Sequence, residues 1–141
     1  MILLDSNILI DLMQSNGEWH DWSLATVEEA AVTEQLGVSP VVVAEVAPRV
    51  GTLNDFIERI GRIGAIVVDL NNDAAYAAGA AFQHYRKRRR DDPTLPRSII
   101  ADFLIGGQAA MLDASILTRD PRFYRAYFPT VSLITPDEAK S

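Results

Sequence analysis

Four acids, Asp5, Glu45, Asp102 and Asp120, occupy settings that call for an explanation. Asp102 interrupts the apolar run Ile99, Ile100, Phe103, Leu104 and Ile105, where a buried, unpaired carboxylate is strongly disfavoured. Asp120 follows Ile116-Leu117-Thr118, and Asp5 follows Ile2-Leu3-Leu4. Both runs read as short buried strands, and an open α/β sheet binds its ligands just beyond such strand ends. Glu45 and Asp102 fall early in helices that start at the same edge, so the four acids are expected to converge on one pocket. Their mutual repulsion then requires cations, and an all-oxygen set suits Mg²⁺ or Mn²⁺. His20 and His84 lie in polar settings and offer no zinc-like ligand set. Singly, each acid also reads as a helix cap, a turn residue or a solvated helix position. A carboxylate in the first turn of a helix, such as Asp102, gains roughly 0.3–1 kcal/mol from the helix dipole alone. The metal reading rests on the four together.

The elements that must position these acids follow from local pattern. Asp5-Ser6-Asn7 caps a helix beginning at Ile8. An amphipathic segment from Gly17 to Gly37 predicts a helix ending at Gly37, and Val38 to Pro40 a second strand. A helix from about Val41 carries Glu45, and Pro48 predicts a kink in it. Thr52 and Asp55 have capping-box spacing ahead of Leu53, Phe56, Ile57, Ile60 and Ile63 at helical intervals. Ala65 to Val68 forms a third strand, and Asn71-Asn72-Asp73 caps an alanine-rich helix that runs into a basic stretch. Asp91 to Pro96 breaks the chain. Ala114 to Leu117 and Val131 to Ile134 complete the strands, with a short helical piece over Pro121 to Tyr127. Gly106 and Gly107 lie inside the Asp102 helix, where each costs about 0.5–1 kcal/mol relative to alanine, so close packing against the sheet is expected there. Strands alternating with helices indicate an α/β fold, doubly wound, with a mostly parallel sheet of about five short strands between helical layers.

Composition limits the rest. A chain of 141 residues with 48% hydrophobic content reads as one domain, residues 1–141, able to bury a core. The absence of cysteine excludes thiolate chemistry and fits a reducing compartment. No apolar run approaches the roughly 18 residues of a membrane helix, and the N-terminal segment lacks a basic start, so a cytoplasmic protein away from membranes is expected. The net charge is −6, yet residues 86–125 carry nine basic residues and five acids. The protein is acidic with one basic region.

These residues resemble the PIN-domain ribonucleases, especially the VapC-type toxins of toxin–antitoxin pairs. The resemblance is carried by LLDSNILIDL with Asp5 and Asn7, SPVVVAEV with Glu45, IIADFLIGGQA with Asp102, and SILTRDPRFYRAYFP with Thr118 and Asp120. Pro48, so soon after Glu45, departs from the family pattern. The resemblance implies a three-layer α/β/α PIN-like domain and an endoribonuclease in which Asp5, Asp102, Asp120 and Glu45 bind one or two Mg²⁺ or Mn²⁺ ions. Carboxylates suffice for such a reaction, because a metal-acidified water attacks phosphorus and no protein nucleophile is needed. Asn7 and Thr118 are then donors that orient the acids. Asn7 reads equally well as a simple helix cap.

An RNA substrate, a cognate antitoxin and a homodimer are further implications. The run Arg86, Lys87, Arg88, Arg89, Arg90, with Arg97 and Arg119, could track an RNA backbone, although a cationic helix C-terminus is favoured by its dipole in any protein. Arg122 and Arg125 fall in the same region. Trp19, Trp22, Tyr124 and Tyr127 could stack on bases, but packing is the better expectation. Two other functions compete. A phosphotransfer domain with Asp5 as nucleophile is disfavoured by Asn7, where an acid would be needed, and by the presence of just Lys87 and Lys140 as lysines to offset an acyl phosphate. A PIN-like RNA- or protein-binding module with an idle pocket is opposed by the presence of all four acids.

Overall fold

Three apolar residues with no alternation form β1 (Ile2–Leu4), and the strand is buried on both faces as a central parallel strand must be. In the computed structural model, which describes residues 1–96 and 100–136, β1 is the middle of five strands. The others are β2 (Leu36–Val38), β3 (Ala65–Val67), β4 (Ser115–Leu117) and β5 (Leu133–Ile134), and the order is β3-β2-β1-β4-β5 with every pairing parallel. Helices α1 (Ser6–Met13), α2 (His20–Thr33), α3 (Pro40–Val50) and α4 (Leu53–Arg62) link the first three strands. Helices α5 (Asn72–Asp91), α6 (Ile100–Leu112) and α7 (Arg122–Tyr127) belong to the other half of the chain. The result is a three-layer α/β/α fold. The chain moves outward from β1 through β2 to β3, then returns to build β4 and β5 on the other flank. The topological switch point therefore lies between β1 and β4, where open α/β sheets form their binding crevice.

Local chemistry starts and stops these helices. Asp5 caps α1, Ser39 caps α3 with Pro40 at its first turn, and Asn71 caps α5 through a 2.9 Å bond from the Ala74 amide. Thr52 and Asp55 form the predicted capping box, with bonds of 3.0 and 3.1 Å. Pro48 sits in the last turn of α3, which ends at Gly51 with φ 139°. Asp113 supplies the turn before β4 at φ 52°.

Two expectations need correction. Gly37 does not end a helix: α2 stops at Thr33, and Gly37 is the middle of β2, so the strand expected at Val38 to Pro40 lies earlier. A Cβ on Gly37 would come 2.9 Å from Val68 and 3.0 Å from Leu3, so the close approach of neighbouring side chains selects glycine there. Ser39 and Pro40 are used to start α3 instead. Gly106 and Gly107 are packing positions as expected, but their partners are not the sheet. A Cβ on Gly106 would lie 2.3 Å from the Phe128 ring, and one on Gly107 would lie 2.6 Å from the Ala74 carbonyl of α5.

The core runs through Leu3, Leu4, Ile8, Leu36, Val42, Phe56, Ile105, Ile116 and Leu117. Beside it an aromatic layer formed by Phe82, Tyr85, Phe103, Phe123, Tyr127 and Phe128 joins α5, α6 and α7. Among the described residues no helix is long and apolar enough to cross a membrane.

Candidate active site

Asp5 is the buried centre of the site. It leaves β1 with its amide bonded to the Leu117 carbonyl of β4 at 3.0 Å, so the pairing of the two strands sets its position. Its Oδ1 accepts from the Ser6 amide at 2.8 Å, and its Oδ2 accepts from the Thr118 hydroxyl at 2.8 Å and the Tyr124 hydroxyl at 3.1 Å. Burial pushes the Asp5 pKa up, the three donors pull it down, and the Asp120 carboxylate adds a smaller upward push.

Thr118 connects most of the predicted set. Its hydroxyl gives its proton to Asp5 while accepting from the Asn7 side chain at 3.3 Å and the Asp120 amide at 3.1 Å. Asn7 in turn accepts from the Arg119 amide at 3.2 Å. Both predicted donor residues thus lie directly behind Asp5 and the β4–α7 turn. The Asp120 side chain is exposed at the rim, with Arg122 3.7 Å away.

Asp102 lies in the first turn of α6, half-buried, and its pKa is raised to about 6. Burial is the main cause, followed by Asp5, Glu45 and Asp120, all acting in the same direction. Glu45 is exposed on α3, yet partial loss of water and then Asp5 raise its pKa, against a smaller lowering by Arg49. The Asp102 carboxylate therefore feels the charges of the other three acids. Among the described residues, no group of three or more His, Asp or Glu side chains is close enough together to hold one ion directly. The donor set is oxygen throughout, and Mg²⁺ often takes just one or two carboxylates while keeping several waters. Asp5, Asp102, Asp120 and Glu45 are thus chemically suited to a hard cation held partly through water.

The basic residues divide. The Arg119 guanidinium donates to the Asp11 carboxylate at 2.7 and 2.9 Å and lies 5.4 Å from the Trp19 ring centre. Arg119, grouped from sequence with the RNA-tracking cations, is thus ion-paired to α1. Arg88 donates to the Tyr127 hydroxyl at 2.9 Å, and Arg89 to the Leu95 carbonyl at 3.2 Å. Arg86, Lys87 and Arg90 are exposed on the last turns of α5, and Arg97 lies outside the described residues.

Two contributors were not singled out from sequence. Tyr124, considered there as packing or a base stacker, is buried with its hydroxyl on Asp5, and burial followed by the Asp5 charge pushes its own pKa far up. Asp11 is buried on α1, bonded by Ser23 at 2.7 Å as well as by Arg119. The signal that draws attention to Asp102, a lone carboxylate in an apolar run, is present at Asp11 in ILIDLM. Tyr124 has no such signal.

Comparison with known proteins agrees with this fold. Residues 2–129 match the family model described as PIN domain. No curated protein has significant sequence similarity. Among solved structures, VapBC2 from Rickettsia felis bound to a promoter DNA fragment is similar at TM-score 0.68 and 19% identity, over 96% of this chain and 98% of that one. A toxin–antitoxin complex from Klebsiella pneumoniae aligns with the same coverage at TM-score 0.68 and 21% identity. FitAcB from Neisseria gonorrhoeae gives TM-score 0.67 and 20% identity, again over 96% and 98% of the two chains.

Proposed function

Since the chain belongs to the PIN domain family, matched over residues 2–129, we propose that it is a Mg²⁺- or Mn²⁺-dependent endoribonuclease and the toxin of a toxin–antitoxin pair. The observation that carries the reading is Asp102, an acid raised to about 6 by burial and by Asp5, Glu45 and Asp120 acting together. Like charges gathered at a sheet's switch point are held at a cost, and a divalent cation relieves it. The likeness to VapBC and FitAcB structures supports the toxin role and an antitoxin partner.

Bound there, a hard divalent ion acidifies water and stabilises charge on phosphate oxygens. Asp5, Asp102 and Asp120, with Glu45 beside them, would hold such an ion. Thr118 and Tyr124 donate to Asp5 and hold its carboxylate in place, which would orient it toward a bound ion. Glu45 would serve as a further ligand or as a group that orients water.

The test is incubation of the purified chain with mixed RNA and Mg²⁺ or Mn²⁺, with EDTA, Asp5→Asn and Asp102→Asn as controls. Cleavage lost in all three controls supports the reading. Cleavage indifferent to EDTA and to both substitutions overturns it. Co-purification with a small DNA-binding protein encoded beside the gene tests the toxin role separately.

A further inference from the structure

The basic run of α5 is divided between two sides of the helix. Arg86, Arg89 and Arg90 line one hollow with Phe82 and Tyr85. Lys87 and Arg88 line a separate cleft of about 480 Å³ between α5 and α7, with His84, Asp91 and Tyr127. Of the two, the second shares an element with the acidic site, because α7 forms its far wall. Tyr127 accepts a hydrogen bond from Arg88, whose guanidinium carbon lies 5.6 Å from the ring centre. Tyr124 of the same helix donates to Asp5 at 3.1 Å. Their Cα atoms are separated by about 4.5 Å along the helix axis, three residues at roughly 1.5 Å each. Helix α7 therefore carries a residue of the acidic site and a residue of the cleft within one turn of each other.

We propose that the α5–α7 cleft binds the backbone of single-stranded RNA beside the phosphate that is cleaved, with Lys87 and Arg88 on adjacent phosphates. The proposal rests on the ribonuclease reading and sharpens it, since two of the five clustered cations do the binding and the others do not. Arg88 is already oriented by Tyr127, so its fork loses less freedom on binding a phosphate. Lys87 is exposed at the same mouth, and the His84 ring adds a polar group. The two cations attract an incoming polyanion and offset the repulsion that four carboxylates present to it. Asp91 stands at the same mouth and opposes that anion.

The proposal is tested by fluorescence anisotropy of a labelled oligouridylate with the full chain in EDTA, across a salt series. Lys87→Ala/Arg88→Ala is expected to weaken binding about tenfold and to lower the log–log salt slope by about 1.4, the value for two phosphate contacts on a single strand. Arg86→Ala/Arg90→Ala removes the same charge from the other side and is expected to change affinity less than about twofold. Asp91→Asn is expected to tighten binding. Equal weakening by the two double variants, no weakening by the cleft pair, or no RNA binding by the parent chain overturns the cleft. Parallel cleavage assays in Mg²⁺ separate the two ideas. Cleft-dependent binding without cleavage sinks the nuclease reading alone, whereas cleavage with binding indifferent to Lys87 and Arg88 sinks the cleft alone.

Discussion

The Asp11 carboxylate holds the Arg119 guanidinium through two hydrogen bonds, 2.7 Å to Nε and 2.9 Å to Nη2, across 108 residues of sequence. Arg119 stands between Thr118 and Asp120, so this pair ties the turn that carries both to α1, the helix that Asp5 caps. Asp11→Ala is expected to destabilise the chain by about 2–4 kcal/mol, somewhat less than the ~3–5 kcal/mol for breaking a fully buried pair, because Arg119 keeps some contact with water. Urea unfolding measures it. A loss below about 1 kcal/mol would show that the pair does not anchor the turn.

The raised pKa of Asp102 predicts a particular pH dependence for the metal-free chain. A carboxylate at about 6 in the folded state and 3.8 in its ordinary state binds more protons folded than unfolded between those values. Stability is therefore highest near pH 4 on this account and falls as pH rises to about 6. The effect is expected to be on the order of 1–2 kcal/mol after discounting for partial exposure. In EDTA, thermal melts from pH 4 to 7 should show the fall, Asp102→Asn should flatten it, and excess Mg²⁺ should raise the melting temperature most at the high end. A metal-free stability that climbs through this window, in a manner abolished by Asp102→Asn, contradicts it.

Removing donors from Asp5 should act in graded fashion. Tyr124→Phe deletes one of three and is expected to cost about 1 kcal/mol. Thr118→Val deletes a second donor and leaves the Asn7 side chain and Asp120 amide without their acceptor, so a loss of about 2–4 kcal/mol is expected. Thr118→Ser retains the hydroxyl and should recover most of it. RNA cleavage should fall in the order Thr118→Val below Tyr124→Phe, and an equal fall would show that the hydroxyl of Thr118 has no special place.

Gly107→Ala should destabilise despite alanine's higher helix propensity, because the new Cβ would meet backbone of α5, the Ala74 carbonyl at 2.6 Å and the Ala78 amide at 2.7 Å. Overpacking of this kind costs about 1–3 kcal/mol, more than the ~1 kcal/mol that propensity returns. A melting temperature equal to or above the parent's would refute the packing account.

Much of this site was legible because its parts lie at the ends of neighbouring strands. Asp5 and Thr118-x-Asp120 are each local patterns after an apolar run, and a parallel β1–β4 pair makes them meet. Asp102 was legible from the cost of its setting. Other features are set by tertiary contacts that local pattern does not carry. Gly37 could not be assigned to a strand, since three residues have no readable period and a glycine after a helical stretch also fits a C-cap. Arg119 looked like one more cation in a basic region, and its partner lies on the first helix. Tyr124 in RFYRAY is indistinguishable by local sequence from Tyr127, and the facing of α7 decides which reaches Asp5 and which reaches Arg88.

The central place of β1 has a consequence for synthesis. This strand is flanked by β2 and by β4, and Asp5 takes its Thr118 and Tyr124 bonds from residues made more than a hundred positions later. A nascent chain that has emerged as far as α6 already carries Asp5, Glu45 and Asp102, yet it lacks the strand that fixes the first of them. The crevice cannot close around Asp5 until Ser115 to Tyr124 has left the ribosome.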